Sequence, residues 1–211
     1  MQEIIMFAVL ASTYLMVISK RIPALIRAFR YQSLCLCALT AVMAWSEGHA
    51  DLYVIAALVL AVKVFVIPHF LYRVIKKIKT GDDLGMLVNA QLSLTWALCF
   101  TYLAWVFTVK YIASSSALQV SVPAVSLFMV LAGLFLMVCR MTALAQIVGL
   151  LAMENGLFLL AAAVSGGMPF FVELALFFDV FVSVLIMGLF VYRINKLFTH
   201  IDVNKLSRLR G

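Results

Sequence analysis

Seven long apolar runs, at about 3–19, 31–46, 52–74, 84–107, 118–138, 142–164 and 170–193, are set apart by short clusters of charge. A helix needs about 20 apolar residues to cross the hydrocarbon core. Inside a bilayer every backbone N–H and C=O must be satisfied within the protein, which leaves helices or a closed barrel. A barrel would show short alternating segments, and these runs do not alternate. The expected fold class is therefore all-α, a polytopic helical membrane protein of about seven transmembrane helices. Of the 211 residues, 66% are hydrophobic and only 12% charged, against about 25% charged in a soluble domain. The first run, Glu3 to Ser19, has no basic flank before it and no small-residue cleavage site after it, so it reads as a membrane helix and not as a secretory signal.

Charge placement sets the expected topology. Lys20, Arg21, Arg27 and Arg30 fall in the first loop, Arg73, Lys76, Lys77 and Lys79 around the third, and Arg140 in the fifth. Arg193, Lys196, Lys205, Arg208 and Arg210 fall in the tail. Fourteen of the 16 basic residues thus share one side, with Lys110 on the other and Lys63 within the membrane. The positive-inside rule makes the basic side cytoplasmic, the N-terminus external and the C-terminus cytoplasmic. Trp45 and Trp105 lie near the outer interface, where amphipathic rings are favoured. A six-span parse would scatter the charges. The net charge of +7 is in this way a topological signal, and no nucleic-acid partner is expected. Cys35, Cys37, Cys99 and Cys139 have neither zinc-site nor redox-pair spacing and read as small core-filling residues.

A faint internal repeat lays Arg21-Ile-Pro-Ala-Leu on Arg140-Met-Thr-Ala-Leu and Tyr72-Arg73 on Tyr192-Arg193. Two three-helix units in one orientation, joined by span 4, would follow. The expected division is an N-terminal four-helix region, 1–110, and a C-terminal three-helix region with a cytoplasmic tail, 111–211.

Three ionisable residues stand inside the runs, where a charge at mid-bilayer costs on the order of 3 kcal/mol. Glu154 lies 14 positions after Arg140, Asp179 lies 14 before Arg193, and Lys63 lies 10 before Arg73. At about 1.5 Å rise per residue, both acids are about 21 Å from the basic boundary and Lys63 about 15 Å. Spans 6 and 7 are joined by the short turn Ser165-Gly166-Gly167-Met168-Pro169, so Glu154 and Asp179 come to nearly equal depth. Desolvation and a nearby ammonium act on such carboxyls in opposite directions, which suits a proton relay; a static Lys63–carboxylate pair that only fixes packing is the alternative. Asn155, Ser183 and His69 are supporting polar residues, with Asn89, Gln91, Ser93 and Thr95 available for interhelical hydrogen bonds. Pro68 removes a backbone hydrogen bond five residues beyond Lys63 and kinks the helix there. No phosphate loop, metalloprotease motif, nucleophile elbow or haem-binding histidine pair is visible. No cofactor or metal held by this chain is expected.

The stretch from Arg140 through Gly149-Leu150-Leu151-Ala152-Met153-Glu154-Asn155-Gly156 to the tail His200-Ile201-Asp202-Val203-Asn204-Lys205-Leu206-Ser207-Arg208-Leu209-Arg210-Gly211 resembles the NuoK subunit of respiratory complex I over about 122–211. The whole chain, with Lys63, Pro68, Met153-Glu154-Asn155 and that tail, more closely resembles hydrogenase-4 component E (HyfE), of the complex I-like membrane arm of group 4 [NiFe] hydrogenases and formate hydrogenlyases. Aligned on Gly149 and Asn155, the first NuoK membrane glutamate falls at Leu151, one helical turn from Glu154 on the same face; Asp179 falls near the second. Lys63 has no NuoK counterpart. The resemblance implies a non-catalytic subunit of the inner (cytoplasmic) membrane, lying between a hydrogenase-proximal subunit and antiporter-like subunits. Soluble hydrogenase partners would carry the redox centres, and Glu154, Asp179 and Lys63 would serve proton or sodium translocation. A free-standing small transporter and an inert membrane scaffold are the competing readings.

Overall fold

A computed structural model describes residues 2–47, 57, 60–78, 87–112 and 120–164, all of its regular structure helical. The elements are α1 (Gln2–Ile18), α2 (Ile22–Glu47), α3 (Ile67–Ile78), α4 (Ala90–Phe107), α5 (Ser121–Cys139) and α6 (Ala143–Val164). A π-helical segment, Leu60–Val66, runs directly into α3, and a second, Thr108–Ile112, prolongs α4. Among the described residues four helices are long and apolar enough to cross a membrane, over Ile22–Val42, Ala90–Tyr111, Ser121–Cys139 and Ala143–Ala163. The chain is a helical membrane protein. The run at 170–193, with Asp179 and Ser183, and the tail lie outside the described residues.

Three boundaries differ from the sequence reading. α2 begins at Ile22, not near 31, so Arg27 and Arg30 are helical residues on its exposed face and not loop residues. Pro23 in the first turn needs no hydrogen-bond partner for its missing N–H, and arginine is a good helix former whose long stem can carry its charge toward water. Arg30 lies over the Phe65 ring, 5.7 Å from its centroid. α4 starts at Ala90 instead of 84, and Lys110 belongs to its π-helical extension. Where a kink is expected at Pro68, the turns before it are π-helical. In a regular helix the ring of Pro68 would press on the Val64 carbonyl, and the wider turn relieves that contact.

α1 and α2 form one antiparallel hairpin and α5 and α6 another, each joined by three residues, 19–21 and 140–142. α2 packs on α6, α1 packs on α4 and α5, and α3 with its π-helical lead-in packs on α2. Apart from a cluster of Val17, Ala97, Phe128 and Phe135 that joins α1, α4 and α5, two apolar layers result. One gathers Met16, Ile22, Leu25, Phe29, Leu71 and Val148 near the hairpin turns. The other gathers Met6, Val9, Leu36, Leu39, Met129 and Phe158 at the far end. Both layers draw on the N-terminal and the C-terminal region.

The α5–α6 contact depends on glycine. A Cβ at Gly133 would lie 2.7 Å from the Gly149 carbonyl and 2.7 Å from the Met153 nitrogen; one at Gly156 would lie 2.8 Å from the Val130 nitrogen. Backbones this close gain dispersion and polar contact in a medium where apolar burial drives nothing. The cysteines are not core filler: Cys35, Cys37 and Cys139 are half-buried and Cys99 is exposed. Gly133→Ala is expected to destabilise the fold by about 1–3 kcal/mol by forcing the helices apart, read as earlier thermal unfolding of the detergent-purified protein, with Ala161→Gly, on a half-buried turn of α6, as the control.

Candidate functional site

Between the two apolar layers lies a polar one. Passing along α1, Thr13 falls between Val9 and Met16; along α2, Gln32 and Ser33 fall between Phe29 and Leu36; along α6, Glu154 and Asn155 fall between Ala152 and Phe158. The fourth contributor is Lys63, in the middle of the π-helical segment and only 2% exposed.

The layer is held by directional hydrogen bonds. Lys63 Nζ donates to Asn155 Oδ1 at 2.5 Å. Asn155 Nδ2 donates to Gln32 Oε1 and to Ser33 Oγ, both at 3.2 Å. Gln32 Nε2 donates to Thr13 Oγ1 at 2.8 Å, and Thr13 Oγ1 donates to the Val9 carbonyl at 2.9 Å. The amide orientations follow from chemistry. An ammonium only donates, so Asn155 must present its oxygen to Lys63; a carbonyl only accepts, so Thr13 must donate to Val9. With both ends fixed, Asn155 and Gln32 each have one possible orientation.

The structure therefore brings Lys63 and Asn155 together and places Glu154, 5% exposed, one residue before Asn155 in the same layer. His69 is elsewhere: it is exposed, two residues into α3, with its Nε2 3.2 Å from Arg73 Nη2. Asn89 is exposed just before α4, Gln91 and Thr95 lie on exposed positions of it, and Ser93 is buried. The sequence reading passed over Gln32, Ser33 and Thr13. The signal that finds them is the one used for Lys63, a polar residue deep in an apolar run, applied to uncharged side chains.

Arg140 is the other missed position. It lies in the expected loop, but is 1% exposed, and its Nη2 donates to the Val17 carbonyl in the last turn of α1. A cation there meets the negative end of the helix dipole and an orphan carbonyl. Its own carbonyl accepts from Gln146 Nε2 at 3.0 Å. Burial lowers the Arg140 pKa, with Cys139 acting the opposite way; a guanidinium nonetheless stays charged. A separate apolar cavity of about 290 Å³ lies among α1, α4 and α5, with Glu3, Phe7, Thr101 and Trp105 in its wall.

The chain is 28% identical to the uncharacterized protein Rv0085 of Mycobacterium tuberculosis over 203 residues, which is 96% of this chain and 92% of that protein. No family model matches the chain. No solved structure matches it.

Replacing Asn155 by Leu leaves a buried ammonium without its α6 acceptor, and is expected to cost about 1–3 kcal/mol, seen as a lowered unfolding midpoint in detergent. Arg140→Met, which keeps the apolar stem and loses the bond to Val17, is expected to cost a comparable amount and to raise hydrogen exchange in the last turn of α1.

Proposed function

We propose that the chain is a non-catalytic membrane subunit of a complex I-like group 4 [NiFe] hydrogenase or a related respiratory complex, and that Lys63 and Glu154, with Asp179, contribute to proton or sodium translocation coupled to redox chemistry. The observation that carries this reading is a buried Lys63 ammonium that reaches across to α6 at Asn155, next to the buried Glu154, in a polar layer with apolar packing on both sides. Ionisable groups at this depth are costly and are characteristic of ion pathways. The resemblance of Met153-Glu154-Asn155 and the tail to hydrogenase-4 component E points to the same residues. In this reading the chain has seven spans with an external N-terminus, resides in the inner membrane, holds no redox centre, and contacts antiporter-like and hydrogenase-proximal subunits and, through the complex, soluble hydrogenase subunits. A static role for the same residues, in a scaffold, is favoured by one feature: the Lys63–Asn155–Gln32–Thr13 chain is hydrogen-bonded at every link.

The two readings separate in membrane vesicles carrying the whole complex as wild type, Lys63→Met, Glu154→Gln or Asp179→Asn, with redox turnover and ion uptake followed together and assembly checked by co-purification. The relay reading expects assembled complexes whose uptake is lost or uncoupled from turnover. Wild-type uptake in all three variants would leave a scaffold.

A further inference from the structure

The hydrogen bonds that lead from Lys63 through Asn155 run one way. Each amide accepts on the side facing Lys63 and donates on the side facing away, through Asn155 and Gln32 to Thr13 and the Val9 carbonyl. Oxygen ends thus face the ammonium along the whole chain, the arrangement that favours a cation. While Lys63 carries its charge the polarity cannot reverse, because a pure donor stands at one end and a pure acceptor at the other. Carboxamides are also poor carriers of protons: near neutral pH an amide nitrogen neither releases a proton nor takes one up, so a proton entering at Asn155 has no way out at Gln32.

We infer that Gln32, seconded by Thr13, is a positioning residue for Lys63, and that the Asn155–Gln32–Thr13 branch holds the ammonium in place without conducting. α1 and α2 then supply a fixed cradle, and any exchange at Lys63 takes place outside this branch; Glu154, buried and next to Asn155 on α6, is the acid available for it in the proposed function. The part of this inference that concerns exchange rests on the function proposed above; the cradle does not. Gln32 is 0% exposed and Thr13 1%, so neither meets solvent or lipid, and the effect of each on Lys63 passes through the bonds named.

Two measurements test it. The first is a double-mutant cycle on thermal unfolding of the full-length protein in nanodiscs, with wild type, Gln32→Leu, Lys63→Met and the double variant. A cradle makes Gln32→Leu at most half as damaging once Lys63 is gone; equal damage in both backgrounds makes Gln32 ordinary packing and overturns the inference. The second is ion uptake by vesicles carrying the complex with Asn155→Leu, Gln32→Leu, Thr13→Val or Thr13→Ser. A cradle gives losses that diminish with distance from Lys63, largest for Asn155 and least for Thr13, and Thr13→Ser recovers what Thr13→Val loses. A conducting chain fails completely whichever link is cut, so abolition of uptake by Thr13→Val in an assembled complex overturns the inference. Should Gln32→Leu not fold, the Thr13 pair decides alone. Should Lys63→Met keep wild-type uptake, the relay fails while the unfolding cycle still judges the cradle.

Discussion

A lysine ammonium with almost no exposed surface must find its acceptors inside the protein, and the packing of the described helices is arranged so that it does. Lys63 belongs to a segment that packs on α2, and its acceptor Asn155 belongs to α6, which packs on the same helix. Bringing the two within bonding distance fixes the rotation of α6 about its axis, because Asn155 must face α2 while Gly149 and Gly156 face α5. Close helix contact on the glycine side and directional bonding on the asparagine side are complementary constraints. The first tolerates small slips along the axis, whereas the second selects one register. In hydrocarbon, where burial of apolar surface gives no preference among packings, such polar contacts are what distinguish one arrangement from another.

The backbone under Lys63 is unusual for a physical reason that begins with Pro68. Regular helix cannot continue upstream past a proline without losing a hydrogen bond and crowding the carbonyl four residues back. The chain meets this with seven π-helical residues, Leu60–Val66, which run directly into α3, where Pro68 is the second residue. Lys63 sits at the centre of the widened stretch. α2 packs on this segment, in which Lys63 and Val64 are buried while Leu60, Phe65 and Val66 are exposed.

Charge made part of this site legible from sequence. Lys63 and Glu154 stand out against apolar neighbours, and counting residues from Arg73 and Arg140 places them at mid-depth without any knowledge of packing. Asn155 is legible as their neighbour. Gln32, Ser33 and Thr13 were not, because a neutral polar side chain in a membrane helix is ordinarily content with its own backbone, as Thr40 is with the Leu36 carbonyl and Ser12 with the Val9 carbonyl. Only the meeting of α1, α2 and α6 distinguishes Thr13 from Ser12. Arg140 does lie in the loop between α5 and α6, and only its burial is illegible: nothing local announces that the α1 C-terminus will cover it. The helix boundaries erred where basic residues were taken as the end of a span. Arg27 and Arg30 lie in the first three turns of α2, and helical side chains lean toward the N-terminus, so their long stems reach back toward that end of the helix.

The two hairpins have similar backbones and unequal chemistry. α1–α2 and α5–α6 both turn in three residues and both carry an arginine at the turn, in keeping with the faint repeat of Arg21-Ile-Pro-Ala-Leu on Arg140-Met-Thr-Ala-Leu. Yet Arg21 is exposed and Arg140 is buried against the end of α1, so one turn faces outward while the other serves as a clasp between the hairpins. The polar layer divides in the same manner. The first hairpin provides only neutral groups, Thr13, Gln32 and Ser33, whose dipoles can orient but whose charge cannot change; the second provides Glu154, which can change its charge, beside Asn155. Lys63, from neither hairpin, is bonded to the second and braced by the first.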